Sequence, residues 1–588
     1  MFLKNFTSNK RNNKKFIFYG SSVGNLLNNA LFCRQLSSSS IRNRINFIIF
    51  SFLIIFLIIT VRLITVASNE SYIKGKKDLQ LYHRLDIVDR NNNLLAINLP
   101  AASLYANPGK VIDQEEAIKK LLTVLPELDK AKILSDLKSD KKFVWIKRDI
   151  TPSEHEKIYN LGMPGFNFER EEKRIYTYGN LLSHVIGYVG RDMSGLAGVE
   201  QYFNKFLIGE KEIGNKNNPH SSNNTLRLSI DVRVQNILSE EMERTMKKFS
   251  AKAAAGIIVD PNNGEILALV SKPDFDPHRP GAAKPDHLFN TVTQGVYEMG
   301  SGMKGVTVAL GIDTGFTTVN DVYDLSYMKV NGFQVNDTYP MKGWHSVPHI
   351  FLKSSNIGVS QIMLEVGKKN LYEYLRKLKL LEPLDIELPE RARPLFPNVS
   401  RVNDLSLTTM SYGYGLSESP AHFIQAMIPI VNGGILYPLT LLKRDSSKPL
   451  VGERVIKEST SADMRKLMRL VVTEGTGRKA EVEDYYVGGK SGTAYIANNG
   501  KYDKNKRMSS FFGIIPASKP KYIIYVVFKE PIGNKETFGF SGGGWVAAPA
   551  VGAIFKRLVA LYGMQKIDKD SEEVQELNNI EYKIKDET

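Results

Sequence analysis

The sequence contains a single cysteine, Cys33, among its 588 residues. This count excludes a disulfide framework and any zinc site built from several thiolates. Hydrophobic residues make up 42% of the chain and charged residues 24%, which argues against wholesale disorder and against a polytopic membrane protein. Because the length exceeds that of one compact domain, we expect a globular protein with several domains.

Acidic residues are absent from positions 1–69, where nine basic residues lie. These nine supply more than half of the formal net charge of +16, so the rest of the chain is only mildly basic. A basic block next to an apolar run is a topology signal of membrane proteins rather than a footprint for nucleic acid. We therefore do not expect nucleic acid as a partner.

An apolar stretch at 45–67, interrupted by one charge, follows the basic block. At about 1.5 Å per residue, it is long enough to cross a hydrocarbon core of about 30 Å. Arg42 and Arg44 precede it, so residues 1–44 are expected to stay in the cytoplasm. A cleaved signal peptide is the alternative, because residues 65–67 are a passable cleavage site, but the leader is long for one. The pattern favours a retained single-pass anchor.

The remaining chain divides at an asparagine-rich linker, residues 214–225. Before it, residues 68–213 contain short strand-like runs, and we call this module the pedestal. After it, residues 226–562 have strands near both ends and helices between them. This order predicts an α+β domain whose terminal segments share one sheet. The charged tail, residues 563–588, is expected to be solvated and mobile.

Local patterns place several elements of the carboxyl-terminal domain. Asp231 is expected to cap a helix that has apolar residues at three-to-four spacing. Hairpins are predicted within 255–270 and within 511–528, where apolar runs flank turn-forming residues. A last helix is expected to begin near Pro549, since proline is allowed in a first turn.

Ser301 and Lys304 lie three residues apart, ahead of a largely apolar run. If a helix begins at Ser301, the lysine lies one turn later on the same face. A serine nucleophile needs an adjacent base, and a lysine kept neutral by burial and a nearby positive charge can serve. Free N–H groups at the helix start can bind an oxyanion. The spacing alone is weak evidence, because a helix cap followed by an exposed lysine gives the same pattern.

A second motif pairs Ser354 with Asn356. In a short turn both side chains can face one cleft. A hydroxyl there can pass a proton to a leaving amine, and an amide can bind a peptide carbonyl. An ordinary helix cap by serine or asparagine is the alternative.

A third motif contains Lys490, Ser491, Gly492 and Thr493, after two glycines. Gly492 would let a substrate backbone approach a strand edge. Ser491 could bind a carboxylate, and the Thr493 N–H could bind an oxyanion. A plain turn between strands is the alternative. A phosphate loop is disfavoured, because Asp484 stands where that motif needs its first glycine.

Taken together and in this order, the three motifs are far more specific than any one of them. The chain resembles class B penicillin-binding proteins, and most closely the septal peptidoglycan transpeptidase of cell division. The resemblance covers nearly all of residues 45–562, including RLDIVDR at 84–90, GLAGVE at 195–200 and SYGYGL at 411–416. It implies a transpeptidase domain of the penicillin-binding-protein and serine β-lactamase fold, on an elongated and mostly β pedestal.

The resemblance also implies the chemistry of each motif. Ser301 would form an acyl-enzyme with the penultimate D-Ala of a stem pentapeptide and release the terminal D-Ala, with Lys304 as its base. An amine of a neighbouring stem peptide would then close the cross-link. Ser354 and Asn356 would serve proton transfer and substrate positioning. Lys490 would tune the electrostatic field of the active site. Substrate would be bound by Ser491, Gly492 and Thr493.

Three positions depart from the usual family pattern. Met299 stands where proline is usual, and Gly305 stands where proline is frequent. Gly305 is expected to weaken the first helical turns by roughly 1 kcal/mol relative to alanine. Ser491 replaces the commoner threonine and keeps the hydroxyl. None of these changes removes a reacting group.

The resemblance implies peptidoglycan stem peptides as substrates and β-lactams as covalent inhibitors. It also implies a polytopic lipid II polymerase and other division proteins as partners, an anchor in the inner membrane and a catalytic domain in the periplasm. No cofactor or metal is expected, because the histidines lack paired-ligand spacing. Two other functions stay open: a serine β-lactamase or β-lactam sensor, and a division-complex scaffold with secondary catalysis.

Overall fold

The structure, a computed structural model, describes residues 39–68, 84–209, 225–498, 501–580 and 584–585. The predicted linker, apart from its last residue, and most of the basic segment at the amino terminus lie outside the described residues. The chain forms two compact units, residues 1–80 and residues 81–588.

Helix α1, Ser39–Ser68, belongs to the first unit and contains the whole predicted anchor. Its large apolar side chains are exposed throughout 47–61. Ser51 and Thr60 each donate a hydrogen bond to the carbonyl four residues earlier, so their hydroxyls are satisfied within the helix. Such a surface is typical of a helix that lies in lipid, where polar groups must be satisfied internally.

The second unit begins with a five-stranded sheet in the pedestal. Its strands are β1 Asp86–Val88, β2 Leu94–Ala106, β3 Val144–Ile150, β4 Phe166–Tyr176 and β5 Thr225–Arg227. The β1–β2 hairpin turns at Asp89, whose carboxylate accepts hydrogen bonds from Asn91 N and Asn93 N. Strand β2 is long enough to pair with β1, β3 and β4. Strand β5 pairs in parallel with β1 and leads into the carboxyl-terminal domain.

Helices cover this sheet and close the pedestal. They are α2 Gln114–Val124, α3 Lys130–Leu137, α4 Pro152–Asn160, α5 Ser183–Ile186, α6 Gly198–Tyr202 and α7 Asn204–Leu207. Helices α2 and α4 bury Leu121 and Ile158, respectively, against Leu104 of β2. Glu200 on α6 is fully buried between two arginines, Arg84 and Arg174, which neutralise it. A buried carboxylate with two cationic partners is satisfied, so this group ties the sheet to α6.

Strands of the carboxyl-terminal domain form one five-stranded antiparallel sheet and several short pairs. The strands are β6 Ala253–Val259, β7 Ile266–Lys272, β8 Val322–Asp324, β9 Met328–Val330, β10 Phe333–Val335, β11 Trp344–Ser346, β12 Ile435–Leu436, β13 Glu453–Arg454, β14 Gly488–Asn498, β15 Lys501–Ile515 and β16 Tyr522–Lys529. The large sheet has the order β14-β15-β16-β6-β7. Both predicted hairpins are therefore confirmed, and segments from the two ends of the domain share one sheet. Strand β14, which carries the third motif, lies at an edge.

Helices fill the region between the two hairpins and cover the sheet. They are α8 Val232–Phe249, α9 Pro285–Leu288, α10 Lys304–Thr314, α11 Val347–Lys353, α12 Asn356–Lys377, α13 Asp404–Ser411, α14 Pro420–Val431, α15 Glu458–Thr473 and α16 Gly543–Leu561. Asp231 caps α8 by accepting from Arg233 N, as predicted. The predicted start near Pro549 is wrong, because α16 begins six residues earlier, at Gly543. Proline has no N–H group, so Pro549 cannot donate the helical hydrogen bond to the carbonyl of Trp545, four residues earlier. That carbonyl lies in the first turn of α16, so only one bond near the start of the helix is lost.

By length and composition alone, helix α16 could also cross a membrane. Its side chains Val551, Ile554, Phe555 and Leu558, however, are buried in the core of the domain. Burial of this kind identifies α16 as a core helix. The side chains of α1 are described only for its apolar part, Asn46–Arg62.

The charged carboxyl-terminal tail is structured, so the prediction of a solvated segment is wrong for residues 571–580. Helix α17, Glu572–Asn578, is capped by Ser571 and buries Val574 and Leu577. Strand β17, Ile584–Lys585, pairs with β11. The many charged residues of the segment predicted exposure to solvent. Two apolar residues at three-residue spacing are nevertheless enough to pack one short helix against the domain.

Candidate active site

Ser301 lies in a 3-10 turn, Gly300–Met303, that runs directly into α10. The helix expected at Ser301 therefore begins as a tighter turn at Gly300. Gly300 has a φ of 52°, and a Cβ atom there would lie 2.4 Å from the carbonyl oxygen of Thr493. Only glycine tolerates this φ and this approach. The turn is thus pressed against β14, and Ser301 within it is half-buried.

Lys304 is the first residue of α10, and its side chain is only 1% exposed. Its Nζ donates to the carbonyl oxygen of Ser354 and, at 3.2 Å, to Ser354 Oγ. Burial and the nearby Lys490 lower the pKa of Lys304 well below its usual value, and Asp337 opposes this shift only weakly. The amine is therefore poised to be neutral, as a base must be.

Lys490 on β14 approaches the same hydroxyl from the opposite element. Its Nζ donates to Ser354 Oγ at 3.0 Å and to the carbonyl oxygen of Ser491 at 3.1 Å. Burial lowers the pKa of Lys490 to about 7. The first, second and third motifs therefore meet at one oxygen atom, Ser354 Oγ.

The backbone places Ser354 at this meeting point. It ends α11 in the left-handed conformation, with a φ of 58° and a ψ of 45°. This reversal turns both its carbonyl and its hydroxyl toward Lys304. A neutral amine has two N–H groups and one lone pair. Since Ser354 accepts two hydrogen bonds from Lys304, the lone pair is left for the proton of another hydroxyl.

Asn356, the other member of the second motif, begins α12 and is positioned by a residue that the sequence reading missed. Its Nδ2 donates to the carbonyl oxygen of Asn336 at 2.7 Å, and its backbone N donates to Asp337 Oδ1. Asp337 also accepts from Ile357 N at 3.1 Å and from Ser355 Oγ at 2.7 Å. Asp337 therefore helps to cap α12 by accepting from its first two backbone N–H groups, beside the N-cap residue Ser355, whose Oγ accepts from Gly358 N. The Asp337 side chain lies nineteen residues earlier in sequence, and only its turn-forming type marks it there.

Ser491 is also oriented by a residue outside the motifs. Its Oγ lies 2.7 Å from Thr476 Oγ1, in the loop after α15. Thr476 stands between Gly475 and Gly477, which allow the loop to pack closely against the helix. The two flanking glycines were the available sequence signal for a close approach.

The structure explains the need for glycine at position 492 differently from the sequence prediction, which was that a substrate backbone approaches there. A Cβ atom at Gly492 would lie 2.3 Å from Ser510 Oγ and 3.1 Å from the carbonyl oxygen of Met299. The glycine is therefore required by packing inside the protein. Thr493 is half-buried, and its Oγ1 accepts a hydrogen bond from Gly543 N at 3.1 Å, which ties β14 to the start of α16.

The unusual residues around Ser301 are accommodated without moving the turn. Met299 is buried, and its sulfur accepts a hydrogen bond from Tyr525 OH at 3.1 Å. Gly305 lies inside α10, where a Cβ atom would lie 3.3 Å from Met427 Cε. Lys304 keeps helical angles beside it. Among the described residues, no group of three or more His, Cys, Asp or Glu side chains could hold a metal ion.

Comparisons with known proteins agree with this arrangement. A family model described as the penicillin-binding protein transpeptidase domain matches residues 254–556, and one described as the penicillin-binding protein dimerisation domain matches residues 82–232. The chain is 36% identical over 493 residues to the probable peptidoglycan D,D-transpeptidase FtsI of Caulobacter vibrioides, which covers 82% of each chain. It is 28% identical to the peptidoglycan D,D-transpeptidase FtsI of Escherichia coli, over 80% of this chain and 82% of that one.

Solved structures extend the likeness to the fold. The transpeptidase domain of penicillin-binding protein 3 from Burkholderia pseudomallei is 30% identical, with a TM-score of 0.52, over 58% of this chain and 97% of that one. A peptidoglycan synthetase from Bifidobacterium adolescentis, 21% identical, shares the fold over 84% of this chain and 97% of its own, with a TM-score of 0.64. Likeness thus runs through the pedestal and the domain that holds the cleft, and the chain belongs to the penicillin-binding protein transpeptidase family.

Proposed function

We propose that this protein is a peptidoglycan D,D-transpeptidase that cross-links stem peptides at the division septum through an acyl-enzyme on Ser301. One observation carries the proposal: two buried lysines, Lys304 and Lys490, converge on the hydroxyl of Ser354 beside the turn that holds Ser301. Relatives named as peptidoglycan D,D-transpeptidases support the reaction, and those named FtsI support the division branch.

Acylation begins when the lone pair of neutral Lys304 takes the proton of Ser301. The Ser301 oxygen then forms a bond to the carbonyl carbon of the penultimate D-Ala. The negative charge that develops on the carbonyl oxygen is stabilised by the backbone N–H groups of Ser301, at the start of the turn, and of Thr493 on β14. Such preorganised donors are often the largest contribution to catalysis in acyl transfer.

Collapse of this intermediate needs a proton for the leaving nitrogen. Lys304, now protonated, donates to Ser354 Oγ. Ser354 passes its own hydroxyl proton to the nitrogen of the terminal D-Ala, and the carbon–nitrogen bond breaks. Free D-Ala leaves, Ser301 carries the acyl group, and Lys304 returns to its neutral form.

Transfer reverses these steps with a new nucleophile. The amine of a neighbouring stem peptide attacks the ester carbonyl, and its proton passes through Ser354 and Lys304 to the Ser301 oxygen as the ester bond breaks. This leaves the new amide and a free Ser301 hydroxyl. The edge strand β14 offers backbone groups along which the donor peptide can lie. Before acylation, Ser491, Thr493 and the positive charge of Lys490 would bind the terminal carboxylate of the donor, while Asn356 would position its backbone.

The amino terminus supports a membrane location for this activity. We propose that α1 is a single-pass anchor in the inner membrane, with residues 1–44 in the cytoplasm and the catalytic domain in the periplasm. The exposed apolar surface of α1 and the basic residues before it support this topology. The proposed partners are a polytopic lipid II polymerase and other division proteins, reached through the anchor and the pedestal.

Reaction with a penicillin tests the catalytic proposal directly. The purified protein and its Ser301→Ala variant would be incubated with the drug, and intact mass and the modified peptide recorded. We expect a lasting adduct on the Ser301 peptide that is absent from the variant. Rapid hydrolysis of the drug without an adduct would instead show a β-lactamase. A folded protein that gives neither result would contradict the acyl-enzyme and favour a scaffold.

A further inference from the structure

The segment before the nucleophile is held by a second segment, residues 413–418, which we call the strap. Four hydrogen bonds join the two: Gly300 N to Gly413 O at 3.2 Å, Gly415 N to Glu298 Oε1 at 2.7 Å, Tyr297 N to Glu418 O at 2.9 Å and Glu418 N to Tyr297 O at 3.0 Å. The position of Ser301 therefore depends on the strap. Glu418 is the last residue of the strap and forms two of these backbone hydrogen bonds, both with Tyr297.

The side chain of Glu418 is anomalous for this position. The residue is 0% exposed, and within the part of the chain that the structure describes, neither carboxylate oxygen has a hydrogen-bond partner. A buried carboxylate with no partner costs several kcal/mol, whereas the neutral acid costs far less. The geometry therefore requires a protonated Glu418 in the folded protein at neutral pH.

A small cavity lies beside Tyr297 and Met299, in the segment that precedes the nucleophile. Its volume is about 10 Å³, room for about one water molecule. It is lined by Tyr297, Met299, Pro420, Ser510 and Tyr525, among others. Tyr525 donates to the sulfur of Met299, which is two residues before Ser301, and an ionised Glu418 would raise the pKa of the Tyr525 hydroxyl. Tyr525 therefore responds to the charge state of Glu418 and is bonded to the segment before the nucleophile.

We propose that Glu418 is a positioning residue for acylation: as a neutral acid it supports the segment that carries Ser301, and loss of its proton loosens that segment. The proposal rests on the acylation of Ser301 proposed above. An ionised Glu418 needs a hydrogen-bond donor. Tyr525, on whose hydroxyl an ionised Glu418 acts electrostatically, supplies this donor, and recruiting Tyr525 removes its bond to Met299. The change reaches the turn within two residues of the nucleophile.

The groups that face Glu418 do not supply a compensating charge. Tyr297 lies opposite in the paired segment, and Tyr525 faces it from β16; burial raises the pKa of both hydroxyls, so both are neutral. His422 of α14 is neutral too, because burial lowers its pKa to about 4. Glu298 already accepts from Gly415 N and Tyr502 OH. Burial alone raises the pKa of Glu418 to about 8.

The first test compares penicillin acylation rates of the wild type and the Glu418→Gln variant from about pH 6 to about pH 10. Glutamine keeps the size and cannot ionise. We expect equal rates at neutral pH, and then a wild-type rate that falls by about tenfold per pH unit above the midpoint relative to the variant. Both proteins contain Lys304 and Lys490, so the ratio of the two rates isolates Glu418. Superimposable pH profiles would overturn the proposal.

A second test does not depend on activity. The infrared spectrum of the wild type minus that of Glu418→Gln should show a protonated-carboxyl band at neutral pH that disappears above about pH 9. If the glutamine variant does not fold, Glu418→Leu provides the same difference. Absence of the band would overturn the proposal even with normal acylation. Failure of both folded proteins to react with penicillin would instead count against the acyl-enzyme, while the band would still report the state of Glu418.

Discussion

Lys304 and Lys490 donate to the same oxygen, Ser354 Oγ, at 3.2 and 3.0 Å. Two ammonium groups this close repel each other strongly in a buried site, and burial disfavours each charge separately. Burial lowers the pKa of both lysines, that of Lys490 to about 7, and the positive charge of Lys490 lowers the pKa of Lys304 further. The state of Lys304 as a base therefore depends on Lys490.

Replacing Lys490 by methionine should therefore change two pH dependences. Removal of the repulsion raises the pKa of Lys304, so the rising limb of the acylation rate should move to higher pH. The rate at neutral pH should fall by about 10²- to 10³-fold, because less of Lys304 is in its neutral form and the buried charge of Lys490 is missing. Stopped-flow measurement of penicillin acylation across pH checks this, and an unmoved rising limb would contradict it.

The same variant should alter the pH dependence of the free energy of unfolding. The folded pKa of Lys490, about 7, lies below the unfolded value near 10.4, so between these values the unfolded state binds more protons. Wild-type stability should rise with pH across this window, reach its full value above it and be lost as pH falls toward 7. The Lys490→Met variant should lack this contribution. Urea unfolding at several pH values would test the difference.

Ser354 combines a needed hydroxyl with a strained backbone. Its φ of 58° is costly for a residue with a Cβ atom, by roughly 1–2 kcal/mol. The free energy of unfolding of Ser354→Gly should therefore exceed that of Ser354→Ala. The relief of strain contributes about 1 kcal/mol, and the greater entropy of glycine in the unfolded chain reduces this gain. Both variants lack the hydroxyl and should acylate at least about 10²-fold more slowly. Thermal unfolding and acylation rates separate the two effects, and an alanine variant more stable than the glycine variant would refute the strain argument.

The sequence predicted which residues belong to the site better than it predicted what holds them. Ser301, Lys304, Ser354 and Lys490 were identified from short motifs, and the structure brings both lysines to the hydroxyl of Ser354, with Ser301 in the turn that leads to Lys304. Asp337 and Thr476 were missed, because each acts through a contact between residues distant in sequence and neither belongs to a motif. Such contacts are fixed by the fold, and a single sequence gives only turn-forming residues and glycines as hints.

At the scale of elements, the capping of α12 shows how one carboxylate positions a motif. Asp337→Ala removes the acceptor for two backbone N–H groups and for Ser355 Oγ. Loss of a helix cap should destabilise the protein by about 1–2 kcal/mol. Because Asn356 is the first residue of this helix, we also expect acylation to slow by about tenfold or more through misplacement.

The matched control is Asp337→Asn, which keeps one acceptor oxygen and removes the charge. It should preserve most of the cap and show an intermediate loss in both stability and rate. Chemical denaturation with penicillin acylation on the same samples gives both quantities. Equal behaviour of the alanine variant and the wild type would show that α12 is fixed by other contacts.

Periodicity predicted elements well where one pattern extends over many residues and less well at element ends. The α8 stripe and both hairpins are confirmed because each has a repeated apolar pattern. The start of α16 was misplaced because glycine and alanine before Pro549 carry little periodic signal. Gly543 and Gly544 begin the helix since they pack against the carbonyls of Ser510 and Thr476, a tertiary reason invisible in the local sequence.

At the scale of the whole molecule, the pedestal and the carboxyl-terminal domain are joined through buried polar contacts. Asp231 accepts from Asn91 Nδ2 at 3.0 Å and from Tyr562 OH at 3.1 Å, so one carboxylate links the β1–β2 turn, α8 and the residue after α16. Gly198 N of the pedestal donates to Glu390 at 2.9 Å. Because these contacts are made across the junction, the two domains are expected to unfold together.

The carboxyl-terminal segment extends this coupling to the active site. Leu577 of α17 packs into the main hydrophobic cluster beside α15, and α15 leads to Thr476. Strand β17 pairs with β11, which runs into α11 and Ser354. A chain that stops after residue 570 loses both contacts. Burial of two apolar side chains is worth about 3–5 kcal/mol, so the truncated protein should unfold at clearly lower denaturant concentration.

Acylation should slow in the truncated protein as well, because both lost contacts support elements that end at site residues. The full-length double variant Val574→Ala, Leu577→Ala is the matched control, since it keeps every charge of the segment and removes only the packing. It should reproduce most of the loss of stability, measured by urea unfolding, and part of the loss of rate. If truncation changed neither quantity, residues 571–585 would behave as the solvated tail that their charge pattern predicted, and their packing would contribute nothing to the fold.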